Sequence, residues 1–162
     1  MKINPKLDLV LERTLDITPE ESWKGWTTPE LLCKWFCPEP WKVTEAEVDL
    51  RPGGIFKTVM QSPEGEKFPN AGCFLEVIPN KKLTWTDCLL PDFRPVENIV
   101  SGADLHFTAT IMMEAAGGGK TKYTAIAMHR DETDRKKHED MGFHQGWGIC
   151  ADQLEKLMKS LR

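Results

Sequence analysis

Asp87 alternates with Leu83, Trp85 and Leu89 in the run from Lys82 to Leu90. On an inward-facing strand it is a carboxylate in an apolar site, where burial disfavours the charged form and raises the pKa. Such a group suits general acid or base catalysis. The other reading is a strand-end aspartate held by the loop that follows, with Arg94 as its ion-pair partner in either case. Arg13 sits among leucines on the first predicted strand. Facing a cavity, it would hold an anionic or carbonyl group of a ligand; otherwise it pairs with Glu76 or Asp49, because a buried arginine needs such a partner. The four histidines are His106, His129, His138 and His144. His144 lies about 60–90° from the centre of the last helix's apolar stripe, at 100° per residue. His129 ends the last strand. Both are open to ligand contact beside Asp87 or to solvent-facing and helix-capping roles. Trp147 reads as the core anchor of the last helix, bordering the cavity, with an indole N–H that needs a partner.

Neither a metal nor a cofactor is expected. The histidines show no His-x-x-x-His or His-Glu-x-x-His spacing, and Cys33 and Cys37 are four apart, unlike the Cys-x-x-Cys of redox and zinc sites. Gly118-Gly119-Lys120-Thr121 imitates the end of a phosphate loop, but Glu114 stands where a glycine is required and the segment joins two strands. His129-Arg130-Asp131 spells the letters of a kinase catalytic loop, yet Lys136 occupies the asparagine position.

The elements that must position these groups follow from periodicity. Leu7, Leu9, Leu11, Arg13, Leu15 and Ile17 alternate with mostly polar residues, a strand with one buried face. Thr18-Pro19 and Thr28-Pro29 each combine an N-cap residue with proline at the first helical position, so two short helices follow. Strands are expected over Trp41 to Leu50, Ile55 to Gln61, Ala71 to Ile78, Lys82 to Leu90, Leu105 to Met113 and Thr121 to Met128, joined by Gly- and Pro-rich turns. The stretch from Pro91 to Gly102, with Phe93 and Arg94, fits neither period and reads as a lid or binding loop. Phe143, Trp147, Cys150, Leu154, Leu157 and Leu161 keep the spacing of one helical face, and Asp131 or Thr133 offers the N-cap of a single long helix. Gly142 and Gly146 beside that stripe suggest close approach of another element. A long amphipathic helix after a series of strands gives an α+β architecture, with the helix laid across a curved antiparallel sheet.

The chain has 162 residues, 40% of them hydrophobic and 28% charged, and reads as one domain over 1–162. A net charge of −4 argues against nucleic acid or an anionic membrane as partner. No apolar run approaches the roughly 18 residues of a membrane span, and the first residues lack an apolar leader, so a cytoplasmic location is expected. Five cysteines without secretory context suggest reduced thiols.

Several blocks resemble one family. Arg13-x-x-x-x-x-Pro19 through Trp23, Trp26-Thr27-x-Pro29-Glu30-Leu31 and Trp35-Phe36 is similar to the entrance of the activator-of-Hsp90-ATPase-homologue-like family. That family sits within the START-like (SRPBCC, Bet v 1-type) helix-grip superfamily. Asp49-Leu50-Arg51-Pro52-Gly53-Gly54-x-Phe56, Gly72-x-Phe74-x-Glu76-Val77-x-Pro79-x-x-x-Leu83-x-Trp85-Thr86 and Met141-Gly142-Phe143-x-x-Gly146-Trp147 resemble its hairpins and final helix. The resemblance implies a curved antiparallel sheet of about six to seven strands around a long C-terminal helix, with two short helices after the first strand. Superfamily members bind sterols, lipids, polyketides or plant hormones, and some catalyse cyclisation or dehydration. The resemblance carries no catalytic residue set to this chain.

The leading expectation is a binding module with an internal apolar cavity for a small lipophilic or aromatic ligand. Its lining candidates are Arg13, Trp85, Asp87, Phe93, Arg94, His129, His144 and Trp147. A cyclase- or dehydratase-type enzyme using a cavity carboxylate or histidine is the alternative. A co-chaperone-like module or a homodimer is the third, with an Hsp90-type chaperone ranking behind a small hydrophobic ligand as partner.

Overall fold

The computed structural model describes residues 1–97 and 105–162. Strand β1 (Asp8–Leu15) leads into helices α1 (Pro19–Thr27) and α2 (Pro29–Trp35). The Thr18 hydroxyl accepts the Glu21 N–H at 3.1 Å, and the Glu21 carboxylate accepts the Thr18 N–H at 3.2 Å, closing a capping box. Strands β2 (Lys42–Val48), β3 (Ile55–Gln61), β4 (Lys67–Ile78) and β5 (Lys82–Thr86) follow. After the short pair β6 (Leu89–Leu90) and β7 (Arg94–Pro95) come β8 (Thr108–Gly117) and β9 (Lys120–Met128). Helices α3 (Glu132–Asp140) and α4 (Phe143–Ser160) close the chain.

The main sheet is antiparallel, with strand order β1-β9-β8-β5-β4-β3-β2. This is the α+β architecture expected from the strand-then-helix pattern, and the helix-grip arrangement that the family resemblance implies. Leu9 and Leu11 of β1, Leu83 of β5, Ile111 of β8, Ala125 of β9 and Leu154 of α4 belong to one buried core. Gln153 of α4 donates to the carbonyls of Trp35 and Cys37 at 3.0 and 2.9 Å, pinning the helix to the end of α2. None of the helices among the described residues is long and apolar enough to cross a membrane.

Four expectations need correction. The expected single C-terminal helix is two, because Gly142 adopts a left-handed φ of 95° between α3 and α4. Glycine reaches that conformation without the Cβ clash that other residues meet. The buried stripe of α4 runs through Phe143, Ala151, Leu154 and Met158, while Leu161 lies beyond the helix and is 52% exposed. Strand β5 stops at Thr86 rather than Leu90: the Asp87 carboxylate takes the Phe107 N–H at 3.0 Å and the Thr86 hydroxyl takes the Cys88 N–H at 3.1 Å. Side chains thereby replace ladder partners and bend the strand.

The close approaches also fall elsewhere than at Gly142 and Gly146. A Cβ on Gly146 would meet only Pro38 at 3.9 Å, whereas one on Gly25 would collide with Leu154 and one on Gly148 with the Arg13 guanidinium. Of the stretch Pro91 to Gly102, Pro91–Phe93 form a 3₁₀ turn and Arg94–Pro95 form β7, with 96 and 97 following in neither. The rest of that expected lid, 98–102, lies outside the described residues.

Candidate functional site

Between the helices and the sheet lies a cavity of about 450 Å³, within the usual range of small-molecule sites. The period of two along the strands sends Phe56 of β3, Trp85 of β5 and Tyr123 of β9 into it. Helices α1 and α2 add Trp26 and Trp35, and α4 adds Phe143 and Trp147. The rings are ordered. Phe56 and Trp85 stack at 5.3 Å and 17°, and Trp85 and Trp147 lie 6.5 Å apart and within 9° of parallel. Trp26 meets Trp35 edge-on at 4.8 Å. The exposed residues Met141, Asn70 and Ala71 mark the mouth.

Polar groups are few. The Trp35 indole donates to the Gly25 carbonyl at 2.9 Å, and the Trp26 indole donates to the Tyr123 hydroxyl at 3.1 Å. Tyr123 is 3% exposed, and burial raises its pKa. Its oxygen accepts from Trp26, so its own O–H remains a donor. Asp87 also lines the cavity. Burial raises its carboxyl pKa, against the opposing pull of the Phe107 N–H and of His106, whose Nδ1 stands 3.5 Å from the same oxygen. Cys37 and Cys150 line the cavity as well. Burial pushes their thiols up to about 11 and about 12, so they are protonated and act as small apolar groups.

Thr58, Thr86 and Asn70 add polar groups to the lining, and a further polar feature is a histidine relay. His129 Nδ1 lies 2.8 Å from the Leu7 carbonyl, and its Nε2 lies 2.9 Å from His138 Nδ1. His138 lines the cavity, its ring 4.7 Å from Phe107, 5.2 Å from Phe143 and 6.0 Å from Trp147. Burial and the neighbouring His129 lower its pKa to about 4, leaving it neutral at pH 7. Among the described residues no group of three or more His, Cys, Asp or Glu side chains is arranged to hold a metal ion.

The family model for activator of Hsp90 ATPase homolog 1-like proteins matches residues 16–159. The chain belongs to this family. A crystal structure from Nitrosomonas europaea is similar at 51% identity, covering 98% of this chain and 97% of that one, with a TM-score of 0.90. A Rhodobacter sphaeroides protein shares the fold at 19% identity, with 99% and 98% coverage and a TM-score of 0.81. A Silicibacter pomeroyi protein whose description carries the same family name does so at 21% identity, with 96% and 99% coverage and a TM-score of 0.67. No curated protein matches the chain.

Within this family member, the structure brings together Trp85, Asp87 and Trp147 of the residues singled out from sequence. His129 stands one hydrogen bond behind the wall. The other four are elsewhere. Arg13 is exposed, its guanidinium against Gly148 of α4. Its proposed partners are engaged differently, Glu76 with Lys82 at 3.0 Å and Asp49 with Arg51 at 2.8 Å. Arg13 needs no buried partner because it stays in contact with water. Phe93, 48% exposed, lies over Gly53. Arg94 is exposed in β7, so the basic neighbour of Asp87 is His106 instead. His144 faces solvent beside Phe143, as its angle from the apolar stripe allows.

Sequence reasoning missed Tyr123, Phe107 and the role of His138. Tyr123 had a usable signal: it shares strand parity with Thr121, Ala125 and Ala127. His138 had none while its helix was read as continuous with α4.

Proposed function

We propose that this protein binds a small, mainly apolar aromatic molecule between α4 and the sheet. The observation that carries the proposal is the cavity of about 450 Å³ walled by near-parallel aromatic rings and bearing a few convergent polar groups. Apolar walls supply affinity by leaving water, and sparse polar groups fix orientation. The test is thermal denaturation against a panel of bicyclic aromatics. A true ligand at one hundred times its Kd stabilises by about 2.7 kcal/mol, roughly 5–10 °C for a domain of this size. A cavity-filling Gly146→Leu variant should abolish that shift while remaining folded, because Gly146 borders the cavity with only Pro38 within contact distance. Shifts that are absent with every probe, or unchanged in the variant, would end this reading.

A second reading is favoured by Asp87, a cavity carboxylate with a raised pKa. In it, Asp87 removes or returns a proton during cyclisation or dehydration of the bound molecule. Turnover lost in Asp87→Asn, with ligand binding retained, separates catalysis from binding alone. The activation of an Hsp90 ATPase named in the family's description is a separate proposal, tested by a chaperone ATPase assay.

A further inference from the structure

The relay behind the cavity wall has a direction set by hydrogen-bond chemistry. The Leu7 carbonyl can only accept, so His129 Nδ1 carries a proton. His129 and His138 are 5% and 7% exposed, and an imidazole with a single N–H keeps a lone pair on its other nitrogen. With its N–H spent on Leu7, the His129 ring offers Nε2 as an acceptor, and His138 Nδ1, 2.9 Å away, donates to it. Neutral His138 is then left with a bare lone pair at Nε2. That atom has no partner among the described residues, and it is the polar edge His138 has left for the cavity it lines. Nearby, the Asp87 carboxyl group, which takes the Phe107 N–H, is a second acceptor. Phe107 links the two: its N–H meets Asp87 and its ring packs on His138.

We propose that the ligand is a flat, uncharged aromatic molecule carrying a hydroxyl or N–H on its edge, donated to His138 Nε2. This rests on the reading of the cavity as an aromatic-ligand site and adds the chemistry of recognition. The ring lies along the parallel faces of Trp85 and Trp147, and the edge donor meets the lone pair that the relay to Leu7 keeps unprotonated. An aromatic carboxylate gains nothing at His138 Nε2, which has no proton to give it. His129 is a positioning residue, acting through the tautomer of His138.

The test uses the full chain with three probes of one ring size: 2-naphthol, 2-methylnaphthalene and 2-naphthoate, with Kd read by tryptophan fluorescence. We expect 2-naphthol to bind about tenfold tighter than 2-methylnaphthalene although the methyl compound is the more hydrophobic, with 2-naphthoate weakest. His138→Phe should keep the ring packing and erase the preference. Should that variant not fold, nitrogen-15 chemical shifts of wild-type His138 decide: Nε2 should be unprotonated in the free protein and move on addition of 2-naphthol. Equal binding of naphthol and methylnaphthalene, a preference that survives in His138→Phe, or a protonated Nε2 overturns this inference and leaves the cavity reading intact. Failure of all three probes to bind overturns both.

Discussion

Trp26 of α1 donates its indole N–H to the Tyr123 hydroxyl of β9 at 3.1 Å, a buried bond between residues 97 apart in sequence. It joins the helical cover to the sheet inside the core, where an unpartnered donor is costly. Tyr123→Phe keeps the ring and removes the acceptor. The expected loss is about 1–3 kcal/mol, read from urea denaturation midpoints. A variant as stable as wild type would show that the indole is satisfied in another way.

Gly25 and Gly146 should respond oppositely to alanine. At Gly25 a methyl runs into the fully buried Leu154, so overpacking of about 1–3 kcal/mol outweighs the helix-propensity gain. At Gly146 the methyl finds ordinary contact with Pro38, and alanine should be neutral or stabilising by up to about 1 kcal/mol. Melting temperatures of the two variants check the pair.

Trp147 is half-buried rather than fully enclosed, because part of its ring forms the cavity wall. Trp147→Ala should therefore cost at or below the low end of roughly 3–5 kcal/mol for a large aromatic. It should cost much more in aromatic-probe affinity. Calorimetry with and without probe separates the two effects.

Acid should weaken the fold through His138. Its pKa is about 4 in the folded protein against 6.5 ordinarily, so between those values the unfolded chain binds more protons. Stability is present in full above about pH 6.5 and is lost as the pH falls towards 4. Asp87 acts in the opposite sense: its raised pKa makes the folded state take up a proton before the unfolded one does as pH falls. The decline in urea midpoint from pH 6.5 to 4 should be shallower in His138→Phe than in wild type.

The cavity thiols should be sluggish nucleophiles. With pKa values near 11 and 12, Cys37 and Cys150 hold little thiolate at neutral pH. Alkylation by iodoacetamide at pH 7.5, followed by peptide mass spectrometry, should label them far more slowly than a free thiol, and more slowly still with a bound aromatic probe.

Local patterns carried a good deal of this. The helix starts at Thr18-Pro19 and Thr28-Pro29, the alternation in β1 and the helical spacing from Phe143 to Leu154 each depend on neighbours within a few residues, and the structure has helices and strand at those places. A side-chain cap closes the first of these starts, while Thr28 makes no capping bond at the second. With the family blocks, they are enough to reach the helix-grip architecture, while the facing of Trp85 and Asp87 stays open between cavity and strand end until the sheet is folded. Parity alone misled at Arg13, whose long side chain leaves the inner face to reach water beside Gly148.

Amino-acid order by itself determined the order of strands and helices, the starts of α1 and α2 and the alternation of β1, because turns and alternating faces are short-range properties. Tertiary structure alone decided that Gly142 turns left-handed and splits the last helix, and that His138 swings against His129. It likewise brought Phe107 to Asp87 across a sequence gap of 20. The physical reason is that a hydrogen bond or ring contact selects partners by distance in space, and that distance is set only when sheet, helices and core pack together.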